Sequence, residues 1–248
     1  MSERVRLYRV TAVVIRQRDL GEADRIVVLY SQEQGKLSAV AKGIKRPRSK
    51  MAGGLQLFTH AHLQIAAGRT LGVITQVRPI DQCYSLRTDL PRYAHASYAA
   101  ELLDVLTEDE SPDPVLYELL VGTLKALDEE GDPSTVIRGF ELKLLAQLGY
   151  APELESCVTC ATVVEGGRIG FATAEGGIAC ARCARELGVG DLSPTALQAM
   201  RDLLHLPTAE LGRRRLSRPA REELARVLRT YVDYHLPRRL HSTAFLSD

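Results

Sequence analysis

The sequence predicts an α+β protein. A small five-stranded β-barrel stands at the N-terminus, and a helical region carrying a four-cysteine ribbon follows it. Three observations predict this. β-prone runs separated by turn residues crowd into residues 5–79. Helix starts of the form Asp-Pro or Ser-Pro recur beyond residue 110. Two C-x-x-C pairs, Cys157/Cys160 and Cys180/Cys183, stand with 19 residues between them.

The elements follow in order. Val10–Ile15 is a strongly β-prone run, and Arg25–Tyr30 follows the turn-like Gly21-Glu22-Ala23-Asp24. In Lys36–Ala41 the apolar Leu37, Ala39 and Ala41 share one parity, with Lys36, Ser38 and Lys42 on the other. Gln56–Ile65 and Leu71–Val77 complete the set, joined by a glycine-containing turn at Gly68. Five short strands in so little chain fit a closed barrel, and among small five-stranded barrels the OB-fold leads. Residues 1–80 are therefore expected to form an OB-fold domain that binds nucleic acid.

Leu90–Thr107 then has Ala96, Ala99, Ala100, Leu103 and Leu106 at helical spacing. Asp113-Pro114 and Asp132-Pro133 each place an acidic N-cap before a proline in the first turn. The helices they open are expected to reach about Glu129 and Leu148, and Gly149 stops the second. Leu142, Leu144, Leu145 and Leu148 are expected in the core. Ser193-Pro194 opens a helix to about Leu206. Ser217 opens the last, with Leu224, Val227, Leu228 and Tyr231 on one face, and Pro237 must break or kink it. Residues 81–155 and 189–248 thus form the expected helical domain, with residues 156–188 as a zinc-ribbon insertion.

The ribbon reading comes from ligand chemistry. Thiolates two residues apart grip one side of a metal from a tight turn, and a second pair closes a tetrahedron. Between the pairs, Gly166-Gly167 and Gly176-Gly177 mark turns around Ile169, Phe171 and Ile178, which reads as a hairpin. Cys157, Cys160, Cys180 and Cys183 are expected to hold one structural Zn2+, because four thiolates leave no open position for catalysis. Cys83 is left over as a small core thiol without a role.

The formal net charge of +1 conceals three blocks. Residues 1–80 hold 14 Lys+Arg against 5 Asp+Glu, residues 81–156 hold 5 against 16, and residues 157–248 hold 13 against 10. A basic first block beside an acidic middle suggests a polyanion-binding module on a scaffold that does not bind polyanions. Lys36, Lys42, Lys45, Arg46, Arg48 and Lys50 fall within fifteen residues that contain no acid. Their loop runs into Met51-Ala52-Gly53-Gly54, which reads as flexible. A mobile basic loop at a strand end suits phosphate contacts, whose affinity comes from released counterions and not from base sequence. Arg16, Arg18 and Arg25 on the barrel and the cluster Arg213, Arg214 and Arg215 are further candidates. Tyr8, Tyr30 and Phe58 are the only aromatics before residue 80. They read as core, so little base stacking is expected and both single and double strands are acceptable ligands.

Several function classes are excluded. No apolar run approaches the roughly 20 residues that span a bilayer. The first twenty residues carry Arg4, Arg6, Arg9, Arg16 and Arg18 with no uninterrupted apolar core, unlike a signal peptide. Cysteines in metal spacing suit a reducing cytoplasm. The chain has no P-loop, no G-x-S-x-G and no H-E-x-x-H. His60 and His62 share a strand face but lack nearby ligands, and Asp104, Glu108 and Glu118 read as solvated helix-face acids. Nothing nominates a nucleophile or a general base, so the chain is expected not to be an enzyme.

Longer strings carry a resemblance. Gly21-Glu22-Ala23-Asp24-Arg25, Gly35-Lys36-Leu37, Ala39-Val40-Ala41-Lys42-Gly43 and Arg46-Pro47-Arg48-Ser49-Lys50 resemble the N-terminal part of the RecO family of bacterial DNA repair proteins. The likeness continues through Gly149-Tyr150-Ala151-Pro152, both cysteine pairs and Leu236-Pro237-Arg238-Arg239-Leu240-His241-Ser242. It covers nearly the whole chain in the same order. It implies an OB-fold, a helical domain, a zinc element and a non-catalytic recombination mediator in the cytoplasm, associated with the nucleoid. Such proteins bind single- and double-stranded DNA and anneal complementary strands. With RecR, and often RecF, they help RecA displace single-strand-binding protein. Some members lack the four cysteines, which agrees with a structural metal. From the residues alone, an RNA-binding or transcription-associated OB-fold/zinc-ribbon protein and a pure assembly scaffold stay open. Strand annealing without ATP separates the mediator from both.

Overall fold

The computed structural model describes residues 6–164 and 167–245. Arg4 of the N-terminal basic run and Gly166 of the expected hairpin turn lie outside them.

Five strands, β1 (Leu7–Leu20), β2 (Asp24–Ser31), β3 (Gly35–Ala41), β4 (His60–Ala66) and β5 (Gly72–Asp81), close in the order β1-β2-β3-β5-β4. Only the β3–β5 pair is parallel. The barrel is an OB-fold. Its interior is filled from one parity of each strand, with Val10, Ala12, Val14, Val27, Leu29, Leu37, Leu63 and Ile65 all buried. One expectation is corrected here. β4 starts at His60, not Gln56, because residues 53–55 form a 3-10 turn that drops Leu55 into the barrel interior. Gly53-Gly54 is no loose linker. A Cβ on Gly54 would lie 2.7 Å from Val77 Cγ1, so glycine serves close packing there.

The outward face of β1 and β2 is also apolar. Val13, Ile15, Val28, Tyr30 and Phe58 belong to the core of the helical region, not to the barrel interior. A bulge between Val14 and Arg16 turns both Ile15 and Arg16 toward that side.

The helical region contains α1 (Ser85–Thr88), α2 (Leu90–Leu106), α3 (Pro114–Asp128), α4 (Pro133–Gln147), α5 (Ala181–Leu187), α6 (Pro194–His205) and α7 (Arg218–His235). The expected caps form. Asp113 accepts from Val115 N and Leu116 N, Asp132 from Ser134 N, and Ser193 from Ala196 N. Gly149 takes φ +87 behind α4, as its stop role requires. Leu142, Leu144 and Leu145 are buried, and Leu148 is half-buried. α4 is the central helix and buries polar groups too. Arg138 pairs with Glu141 at 3.0 Å, and the Tyr98 hydroxyl donates to Glu141 at 2.6 Å.

The cysteine segment forms β6 (Ile169–Ala172) and β7 (Gly177–Cys180), joined by a third strand β8 (Asp191–Leu192) in the order β7-β6-β8. It shares the helical core. Phe171 meets Tyr231 of α7 edge to face at 5.2 Å, and Ile178, Phe171 and Cys183 pack in one cluster with α4, α6 and α7.

Candidate metal centre and nucleic-acid interface

Two local turns bring the sulfurs together. Ala161 N donates to Cys157 O and Cys157 N to Thr162 O, with Ala161 at φ +57, so the first pair sits on a tight knuckle. Cys180 ends β7 and Cys183 lies in the first turn of α5. The four Sγ atoms all lie within 4.8 Å of one another, and Cys160 and Cys180 are 3.8 Å apart. Sulfurs at about 2.3 Å from a central ion, tetrahedrally placed, are about 3.8 Å apart, so this cluster is suited to a metal. All four cysteines are free thiols, without disulfides. The Thr162 hydroxyl, 3.3 Å away, and the Thr162 amide favour the Cys160 thiolate and hold its pKa down to about 6. Burial pushes Cys183 up to about 12. Arg182 lies against the Cys183 and Cys160 sulfurs, which raise its pKa. Four thiolates around a divalent ion carry a net negative charge that Arg182 offsets. Sequence reasoning missed Arg182, although its place inside Cys180-Ala181-Arg182-Cys183 was the available signal.

Among the described residues no other group of three His, Cys, Asp or Glu side chains is placed for a metal. His60 Nε2 meets the Tyr117 hydroxyl at 2.6 Å, and His62 Nδ1 lies 3.3 Å from Thr11 Oγ1. Burial lowers the His60 pKa, and Asp81 opposes that. Cys83 is buried, and burial beside Asp81 and Asp128 pushes its thiol up to about 12, an inert core thiol.

The basic candidates separate into three kinds. Lys42, Arg46, Arg48 and Lys50 are exposed, and none forms a side-chain ion pair among the described residues. Arg18 stands in the same state on β1. Their loop is pinned, not loose. Gly43 N donates to Asp24, Lys45 N to Ala23 O, and Ile44 is buried in the barrel. A second kind is exposed or half-exposed but paired. Lys45 and Arg25 both bind Asp19, at 2.9 and 2.8 Å, and lower its pKa. Arg16 binds Asp104 at 2.9 Å.

Lys36 is a correction. Its side chain is only 11% exposed, and its ammonium donates to Asp104 O and Thr107 O at 2.7 Å each. It also faces Asp104 Oδ1 at 3.4 Å and Asp109 at 3.3 Å. It joins barrel to helices, and its ammonium is occupied by these contacts rather than presented to solvent. Asp104 is corrected with it, since it is buried between Arg16 and Lys36 and is no solvated acid. Glu108 and Glu118 are exposed, as expected.

Arg213, Arg214 and Arg215 are exposed beside a 3-10 turn that packs on α3 and α4, and Arg214 pairs with Asp202. The structure sets them in the helical region, apart from the barrel loop in the chain and in its packing.

Residues 1–83 match the family model described as Recombination protein O N terminal, and residues 87–244 match Recombination protein O C terminal. A DNA repair protein RecO from Symbiobacterium thermophilum is 40% identical over 244 residues, 97% of this chain and 96% of its own length. One from Roseiflexus sp. is 40% identical over 249 residues, covering 99% of this chain and 87% of the relative. One from Pelotomaculum thermopropionicum is 37% identical over 243 residues, covering 98% and 94%.

Proposed function

We propose that this chain, which belongs to the RecO family of bacterial DNA repair and recombination proteins, is a non-catalytic DNA-binding mediator that anneals complementary strands. The observation that carries the DNA reading is the set of exposed cations on one end of the barrel, Lys42, Arg46, Arg48, Lys50 and Arg18, none of them ion-paired among the described residues. Two single strands repel each other along their phosphates. A surface that binds both neutralises that repulsion and raises their local concentration, so pairing accelerates without bond chemistry. Residues 1–80 act as the DNA-binding domain. The helical residues 81–155 and 189–248, with net negative charge in the first part, suit protein partners. With RecR, and with RecF, the protein helps RecA load on single strands coated by single-strand-binding protein, in the cytoplasm at the nucleoid.

The metal is one Zn2+ held by Cys157, Cys160, Cys180 and Cys183. The all-sulfur donor set and the 3.8 Å sulfur spacing support zinc over harder ions. The ion would tie the first knuckle to β7 and α5, and residues 156–188 form the ribbon around it.

The test is annealing of complementary strands, bare and coated with single-strand-binding protein, with and without ATP. Acceleration without ATP that falls steeply with salt is the expected result. Failure to anneal even bare strands, or a strict ATP requirement in a pure preparation, overturns the reading.

A further inference from the structure

Beyond α7 the chain folds back and leaves a cleft of about 520 Å³ walled by Arg229, Asp233, Leu236, Arg238, Arg239 and Leu240. Arg229 and Arg239 are exposed, and among the described residues no ion pair or side-chain hydrogen bond engages either. Arg238 approaches Glu101 at 3.8 Å, but Glu101 is committed elsewhere, accepting from the His241 and Ser242 amides at 2.9 and 2.8 Å. The three guanidiniums therefore face two carboxylates, Asp233 and Glu101, and the C-terminal end of α7. A helix end counts for about half a negative charge, which leaves the cleft at about +0.5, with Arg229 and Arg239 as its unengaged cations. Arg229 and Arg239, which no acid pairs among the described residues, are poised for an anion with several acceptor oxygens.

The cleft is joined to the barrel. Arg238 also lines a hollow of about 330 Å³ shared with Ile15, Arg16 and Phe58 and with the acids Glu101 and Asp104. From Arg16 the outward row of β1 continues through Arg18 to the strand end, where Asp19 binds Lys45 of the basic loop. The cations thus form a line from the loop, along β1, to the end of α7. Two acids lie on this line: Asp104, which pairs with Arg16 and Lys36, and Glu101, which pairs with Arg238 and accepts from two backbone amides.

We infer that a nucleic-acid strand held at the barrel loop runs past Arg18 and Arg16 and places its next phosphates in the Arg229–Arg238–Arg239 cleft. A linear row of cations matches the repeating charge of a phosphodiester backbone. The cleft has only Leu236 and Leu240 as apolar wall, so it grips charge in preference to apolar side chains. The inference rests on the DNA-binding reading above and gives the strand its path on the helical region.

The test uses the full chain and a labelled single-stranded oligonucleotide, with anisotropy titrations at several salt concentrations. Three proteins are compared: wild type, the double variant R229A/R239A, and the loop variant K42A/R46A/R48A. Arg238 is left intact because it touches Glu101. Metal content and thermal midpoint check that each protein is folded. R229A/R239A is expected to flatten the log K against log salt slope by about 1.4 and to weaken binding about 25-fold at 0.1 M salt. The charge-keeping R229K/R239K is expected to restore the slope. If R229A/R239A folds and keeps wild-type affinity and slope while the loop variant loses both, the inference is overturned and the DNA-binding reading stands. If wild type itself does not bind, both fall. If R229A/R239A keeps its DNA slope but no longer retains poly-glutamate, the cleft is an acidic-peptide site and the inference is overturned.

Discussion

The Lys36 ammonium donates to the Asp104 and Thr107 carbonyls at the C-terminal end of α2, so it caps a largely buried helix end. Removing it strands two carbonyls and weakens the pairing of a buried carboxylate. Lys36→Met is therefore expected to cost about 3 kcal/mol, read as a lower urea midpoint, and to leave the salt slope of DNA binding unchanged. Arg46 sits ten positions later, exposed and without an ion pair among the described residues. Arg46→Ala is expected to stay within about 0.5 kcal/mol of wild type in stability. It is expected to flatten the salt slope by about 0.7–0.9. The reverse pattern would place the DNA contact on the seam and not on the loop. Both residues belong to the same acid-free stretch, and local pattern cannot separate them. The difference lies in a contact 68 residues away in the chain, to Asp104. Two glycines make the same point about backbone. Gly21 and Gly35 both have positive φ, but a Cβ on Gly35 would fall 2.2 Å from Ser111 O, whereas Gly21 meets nothing within 4 Å. Gly35→Ala is expected to lower the thermal midpoint well beyond Gly21→Ala, because it also pries the barrel from the α2–α3 connection.

At the scale of elements, the metal ribbon was legible in ligand spacing and in its glycine turns, and the helix starts in their Asp-Pro and Ser-Pro caps. β8 was not, because a two-residue strand has no periodicity to read. Nor was the extent to which the ribbon shares the helical core, which depends on Phe171 meeting Tyr231 from far along the chain. That sharing sets the expected outcome of metal loss. Cys160→Ser, or stripping the ion with a chelator, is expected to lower the thermal midpoint of the helical region as a whole. DNA affinity per folded molecule should hardly change, because the ribbon cysteines are remote from Lys42–Lys50 in the chain and pack with α7. A melting curve unchanged by metal loss would make the ribbon a tethered accessory. The segment after α7 carries a pH prediction. Burial raises the Glu101 pKa, but the His241 and Ser242 amides outweigh that, so the folded value lies below the usual 4.5. A depressed carboxylate contributes stability that is present above the unfolded value and lost as pH falls through the folded one. Exchange protection of the His241 and Ser242 amides, corrected for intrinsic rate, is expected to hold at pH 5 and above and to fall on acidification below about 4.5. Glu101→Gln should lack that transition.

On the scale of the whole molecule, the barrel has two apolar faces and the chain advertises both. In Arg25-Ile26-Val27-Val28-Leu29-Tyr30 the apolar residues occupy successive positions, and such a run marks a strand covered on both sides. Val27 and Leu29 fill the barrel, while Val28 and Tyr30 enter the helical core. The five-strand count identifies the barrel, but a strand count alone carries no sign of a second, docked face. The charge blocks were legible for a related reason, since net charge per segment needs no knowledge of contacts. What they could not give was which cations the fold consumes internally. The docked face also governs how the barrel behaves when cut out. A fragment of about residues 1–83 retains its interior cluster, so it has its own core and is expected to fold and to bind DNA with a salt-dependent slope. It also uncovers Val13, Ile15, Val28, Tyr30 and Phe58 together. An apolar patch of that kind on a small domain drives association. Sedimentation is therefore expected to show the fragment self-associating as concentration rises, and full-length protein under the same conditions not using this face. Replacing Val28 by Thr and Tyr30 by Ser in the fragment should shift it toward monomer without changing the salt slope, since neither residue belongs to the basic loop. A fragment that stays monodisperse without those changes would mean that the β1–β2 face is not held by apolar burial. In that case the Lys36–Asp104 and Arg16–Asp104 contacts would have to carry the junction, and raising the salt concentration should separate the two parts of the intact chain.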